Sequence, residues 1–413
     1  MPVELRTVTE SDLPGWLRSL RTGFLNEPVA PDELVADRLA AFDLDRTRAA
    51  FDDGRVVATF RSFAQRVSTV GGGDIGADAI TQVTVAPTHR RRGLLSRLMA
   101  QDLDAARERG DALATLIAAE YPIYGRYGFG PASRTTEWSV DLRRAGLDPR
   151  RTGRPDAGRV DFSDGAEIRR IGPGLHRRLA AVRAGVTDRS ERNWRLGTGL
   201  GHQLEPWTEP YYAVYRSASG EPEGYVSYRA DAKWTDANQP ENTLTVRDLI
   251  AATPAAEHAL WRFVCSVDWV TTVRSGRRPV DDPLPELLPD PRAARTLVST
   301  DMLWARILDV PRVLEERTYP VADALVLDVR DAGGYAAGRF RLDASPKGAA
   351  CAPTTASADL VLDVADLARL FLGDGSPVGL ARLGRIEEAV PGAAARAELL
   401  FRTPLRPFSP DIF

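Results

Sequence analysis

Apolar and polar residues alternate through Val3-Glu4-Leu5-Arg6-Thr7-Val8, and beyond Thr9 the segment ESDLPGWLRSL repeats its apolar positions at helical spacing. The change of period predicts a strand followed by a helix capped by Thr9. A hairpin should come next, with Asp52-Asp53-Gly54 joining RAAF to RVVATFRSF. After the turn marked by Gly71, Gly72 and Gly73 there is a β-branched run from Ile80 to Val85, then a loop, THRRRG. A helix is predicted from about Leu94, with Leu95, Leu98, Met99 and Leu103 on one face and Gly110 closing it. Residues 112–120, ALATLIAAE, form a short buried-strand pattern, and RTTEWSVDL is the strand expected to close this first domain.

Asp148-Pro149 and the polar stretch RRTGRPDAG that follows are the first predicted linker. A second unit then repeats the plan. YYAVYRS and GYVSYRA flank the turn SASGEPE, and LTVRDLIAATPAAEHALWRFV supplies strand, loop and helix. Setting VTVAPTHRRRGLLSRLM beside VRDLIAATPAAEHALWRFV aligns the two loops, and the second lacks both the arginines and the glycine. It is expected to be a degenerate, non-catalytic copy. A Pro/Asp-rich stretch, RRPVDDPLPELLPDPRAAR, separates it from LWARILDV, where a third domain should begin. That domain should contain a helix near Pro311, strands ALVLDVRD and GRFRLDAS, and a helix in VADLARLFLGDG. The expected architecture is mixed α/β in three parts, residues 1–150, 151–298 and 299–413.

Composition agrees with this division, since 413 residues at roughly 150 per domain make about three. A hydrophobic fraction of 43% and a charged fraction of 27% are those of a globular chain. The formal charge of −3 gives no chain-wide reason to bind nucleic acid or an anionic membrane. Lys233 and Lys347 are the only lysines among 54 basic residues, a bias that fits a high-GC genome and says nothing of partners. The start, MPVELRTVTESDLPGW, lacks a signal-peptide pattern and no apolar run approaches 18 residues, so the protein is expected to be cytoplasmic and soluble. Cys265 and Cys351 stand far apart, and His89, His176, His202 and His258 are scattered, so neither a disulfide framework nor a metal site is expected.

Candidate chemistry concentrates at Arg90-Arg91-Arg92-Gly93-Leu94-Leu95, between a strand and a helix. Free N–H groups at a helix N-terminus, with arginines beside them, suit the pyrophosphate of a nucleotide-like cofactor. A glycine there lets backbone approach phosphate without a Cβ in the way. The loop resembles the (Q/R)xxGx(G/A) cofactor loop of GNAT acetyltransferases, with Leu95 in place of the usual small residue. Followed by IYGRYGFGPA, it resembles more specifically the enhanced intracellular survival (Eis) acetyltransferases. The resemblance covers essentially the whole chain.

That resemblance implies two tandem GNAT domains and a sterol-carrier-like C-terminal domain. It implies acetyl-CoA as cosubstrate, with the splayed strand at Val83, Thr84 and Val85 pairing with the pantetheine arm. Further cofactor contacts are implied at Arg91, Arg92, Gly93, Leu94, Leu95, Ser96, Ala119 and Glu120. Tyr124 falls on the family's general acid and Phe413 on its catalytic C-terminal carboxylate. A phenol with a reference pKa near 10 is roughly matched to a leaving thiol near 8.5, and a carboxyl group near 3.5 becomes a better base where burial desolvates it. The first domain contains no cysteine, so direct attack by the amine is expected rather than an acetyl-cysteine route.

The implied acceptor is a primary amine of a small, aminoglycoside-like molecule or of lysine. Where relatives that take polyamines carry acidic groups, this chain has Asn26 and Ile412, with Glu27 and Asp411 next door. The resemblance also implies a homohexamer. Two other readings of the parts stand beside it: an apolar-ligand carrier with GNAT-like scaffolding, and an aminoacyl transferase built from paired GNAT-like units.

Overall fold

The computed structural model describes residues 3–29, 31–144, 157–201 and 207–413. Most of the stretch read as the first linker, residues 145–156, lies outside them, as does His202. Three sheets of seven, seven and five strands organise the described residues.

The first sheet begins as its sequence pattern predicts. Strand Glu4–Thr7 pairs antiparallel with Thr47–Asp52, which pairs with Arg55–Ser68 across the turn at Asp53 and Gly54. Asp74–Val85 follows antiparallel, and Leu113–Ile117 pairs parallel to it after the crossover helix Leu94–Glu108. Thr9 forms a capping box with Asp12 on a tight turn, Glu10–Asp12, that runs into the helix Leu13–Gly23.

Two strands then change places between sheets. Arg134–Asp141, expected to close the first domain, lies in the second sheet between Ala294–Asp301 and Val270–Arg274. Conversely Leu303–Ile307, read as the start of the third domain, pairs with Leu113–Ile117 in the first sheet, and the short strand Gly130–Pro131 pairs at its other side. Trp304 is buried there and packs edge-on against Tyr121 at 4.9 Å. The sheets are thereby stitched together by residues some 170 positions apart, such as Ser133, whose hydroxyl accepts from the Leu303 amide at 3.2 Å.

The second sheet otherwise follows the predicted repeat, with strands Tyr211–Arg216, Pro222–Ala230 and Asn242–Ala251 and the helix Pro254–Cys265. The C-terminal sheet has Asp323–Arg330 at its centre, flanked by Gly338–Ser345 and Leu360–Asp363. Its core is continuous with that of the first sheet: Val67, Leu113 and Leu303 belong to one buried cluster with Leu325, Leu362 and Phe371. A Cβ at Gly130 would collide with the carbonyl oxygen of Ala365, in the helix Val364–Phe371. This part of the IYGRYGFGPA motif therefore serves the close packing of the C-terminal domain. No helix among the described residues is long and apolar enough to cross a membrane.

Candidate active site

The helix Leu94–Glu108 begins at Gly93, in the left-handed region at φ 73°, which supplies no side chain to cap it. The first intrahelical bond runs from the Arg97 amide to the Gly93 carbonyl at 3.1 Å, so the amides of Leu94, Leu95 and Ser96 precede it. A Cβ at Gly93 would meet nothing within 4 Å, and Arg90, Arg91 and Arg92 are exposed around this end. These residues fit a phosphate-bearing cofactor: free donors and the positive end of the helix dipole face open space, with exposed arginines next to them in the chain. Ser96 and Tyr127 sit beside it with their hydroxyls 3.0 Å apart, while Leu95 packs half-buried against the domain core.

The corresponding helix of the second unit is closed off. Thr253 accepts a hydrogen bond from the Ala256 amide at 3.2 Å, and Glu257 in the first turn is paired with Arg278 at 3.1 Å. A carboxylate and a filled cap stand at this helix start, where the first unit has free amides and exposed arginines.

Strand Asp74–Val85 pairs with Leu113–Ile117 only from Ala77 to Ile80. Residues 81–85 continue without a ladder partner on that side. Gln82 sits at φ 56°, close to a register shift against the neighbouring strand between Thr59 and Arg61. The bulge lies just past the last residue paired with Leu113–Ile117, next to Val83, Thr84 and Val85. Thr84 itself is buried and shares a 2.7 Å hydrogen bond with Thr59.

Tyr124 ends the short helix Tyr121–Tyr124, 9% exposed, and packs with Ile80, Leu116 and Phe129. Burial, then the neighbouring Tyr127 and Glu120, push its phenol up to about 12. This corrects the expected match to a thiol near 8.5. The group stays protonated throughout the working range, and it is the weaker acid of the pair. A phenol in that state can donate a hydrogen bond, and it is a poor source of a full proton near neutral pH.

On the other side of the bulge lies a cavity of about 760 Å³. It is lined by Gln65 and Gln82 from the first unit, Arg189 and Asp248 from the second, and Asp411 and Phe413 at the chain end. Phe413 is half-buried, its ring 5.6 Å from that of Phe63 and perpendicular to it. Tyr124 does not line this cavity. One strand runs past both regions: Ile80 and Val83 belong to the hydrophobic cluster that contains Tyr124, and Thr81 and Gln82 line the cavity that Phe413 also lines.

The chain end is held by Arg189, which donates to Asp411 at 2.7 Å and to Asp248 at 2.7 Å, while Tyr225 donates to Asp248 at 2.6 Å. Burial opposes the charge of Arg189, but Asp248 and Asp411 hold its pKa far above the ordinary value. Asp411 is thus already engaged, and it does not supply the free acidic charge that the sequence left open for it. Asn26 and Glu27 are exposed and are not among the residues lining the cavity.

Gln82 and the Arg189 network were missed by the sequence reading. Gln82 had a signal, a polar residue interrupting the apolar run AITQVTV, and its buried Oε1 has no hydrogen-bond partner among the described residues. No group of three His, Cys, Asp or Glu side chains suited to a metal ion occurs among the described residues.

Residues 4–132 and 185–307 match the family described as Acetyltransferase (GNAT) domain, and residues 310–410 match Sterol carrier protein domain. An uncharacterized N-acetyltransferase of Streptomyces griseus is 58% identical, with all of both chains covered. N-acetyltransferase Eis of Mycobacterium tuberculosis is 32% identical over 94% of this chain and 93% of its own. The crystal structure of Eis1 from Mycobacterium abscessus superposes with a TM-score of 0.85 at 29% identity, covering 99% of this chain and 100% of that one.

Proposed function

Because the chain belongs to the Eis family of GNAT N-acetyltransferases, we propose that it passes the acetyl group of acetyl-CoA directly to a primary amine of a small molecule. Aminoglycoside-like amines and lysine are the first acceptors to try. In this reading residues 1–150 bind acetyl-CoA, 151–298 are a non-catalytic GNAT copy, and 299–413 supply the terminal carboxylate. The family resemblance also assigns a homohexamer, which the mass in solution tests.

The observation that carries the proposal is the uncapped helix N-terminus behind Gly93, set beside a strand that has left its neighbour over residues 81–85. Bound acetyl-CoA supplies an activated thioester. The amides of Leu94, Leu95 and Ser96 with Arg91 and Arg92 hold its phosphates, and Val83, Thr84, Val85, Ala119 and Glu120 flank its arm. The Phe413 carboxylate takes the proton that the attacking amine loses, and the Tyr124 hydroxyl stabilises negative charge at the departing sulfur.

Acetyl-CoA is accordingly expected to stabilise the protein against heat, by roughly 2.7 kcal/mol at a hundredfold excess over Kd. Arg91→Glu with Gly93→Asp should remove the effect by setting carboxylates where phosphate belongs. Arg107→Glu, at the exposed far end of the same helix, should retain it. An undiminished thermal shift in the folded double variant refutes the cofactor assignment.

A further inference from the structure

The charged residues lining the cavity differ in how they are balanced. Near Phe413, Arg189 is enclosed by Asp248 and Asp411, two carboxylates on one guanidinium. Arg38, Arg61 and Arg192 line the same cavity. Arg192 pairs with Asp37. Arg38 has no ion pair among the described residues. Arg61 lies over the Phe42 ring at 4.2 Å, and its Nε is buried without a hydrogen-bond partner among the described residues.

Burial, then the charges of Arg38 and Arg192, pull Arg61 down to about 10, with only Asp43 opposing. Burial and Arg192 likewise lower Arg38, with Asp37 opposing. Guanidinium groups crowded together and partly stripped of water, with few carboxylates to balance them, are costly unless a ligand supplies the missing charge. Their planar forks suit oxyanions with two acceptor oxygens.

Phe63 links the two groups. Its ring is 5.6 Å from the ring of Phe413 and 5.4 Å from the Arg61 guanidinium carbon, so these two lie within about 11 Å of each other. We propose that the acceptor is an amine that also carries a carboxylate or phosphate, its anionic group held by Arg38 and Arg61 while its amino group lies at Phe413. The inference rests on the acetyltransferase reading above and narrows its acceptor, away from polycationic amines and toward short zwitterionic or anionic ones.

The test compares four acceptors of one chain length: 6-aminohexanoate, 6-aminohexyl phosphate, hexylamine and 1,6-diaminohexane. Thiol release from acetyl-CoA should show kcat/KM for at least one anionic acceptor about tenfold or more above hexylamine, mainly through KM, with the diamine lowest. Whether the carboxylate or the phosphate leads identifies the anion. Arg38→Gln and Arg61→Lys should each shrink the ratio of anionic acceptor to hexylamine, the lysine because it keeps the charge but loses the fork. Two independent variants guard against one that fails to fold.

A diamine preferred over both anionic acceptors overturns the inference while leaving acetyl transfer intact. If none of the four is turned over, thermal stabilisation decides the inference separately from acetyl transfer. Greater stabilisation by 6-aminohexanoate or 6-aminohexyl phosphate than by the diamine supports it, and equal or reversed stabilisation overturns it.

Discussion

A few residues added after Phe413 are expected to lower acetyl transfer by about 10²-fold or more while acetyl-CoA still stabilises the protein. The extension keeps every side chain but turns the terminal carboxylate into a neutral amide, which cannot accept the amine's proton. The structure gives the terminus a fixed place from which to act. Phe408 is buried and its amide donates to the Ala184 carbonyl at 2.9 Å, Ser409 is fully buried, and Asp411 is clamped by Arg189 at 2.7 Å. Deleting Phe413 leaves a carboxylate on Ile412, set back by up to ~3.5 Å, enough to break a hydrogen bond to the amine or to a bridging water. Turnover by a C-terminally tagged protein equal to that of an N-terminally tagged one would sink the role of Phe413, and the cofactor loop would stand unaffected.

Replacing Tyr124 with phenylalanine should reduce kcat by roughly 10²-fold, because one donor to the departing sulfur is lost while the ring that packs against Phe129 is kept. Since the phenol is pushed up to about 12, its loss of a proton should not contribute an alkaline limb to kcat below about pH 10. Retained stabilisation by acetyl-CoA separates loss of the donor from damage to the site. Wild-type kcat in the phenylalanine variant would make Tyr124 a packing residue.

The parts legible in the sequence were those encoded locally. Alternation from Val3 to Val8, the turn at Asp53 and Gly54, and the apolar face Leu98, Met99 and Leu103 each depend on neighbours a few residues away, and each became the expected element. The strand–arginine–glycine–helix element at residues 85–108 was legible for the same reason, since its parts are contiguous. Exchange of Arg134–Asp141 and Leu303–Ile307 between sheets left no such trace. A β-branched strand reads alike whichever sheet receives it, and pairing across some 170 residues is set by tertiary packing. Arg189 is likewise 222 residues from Asp411, so neither side chain advertised the other. Tyr124 was legible as a residue but its acidity was not, because the shift comes from burial against side chains that meet only in the fold.

Acetyl transfer itself is the central claim, and it is tested most directly by measuring thiol released from acetyl-CoA in parallel with N-acetylated product, across primary amines and with the full-length, untagged chain. Thiol and acetylated amine should appear in equal amounts, both should require the amine, and both should be lost together in the Arg91→Glu, Gly93→Asp variant. No amine-dependent thiol release with any acceptor, or thiol released without acetylated product, would contradict it.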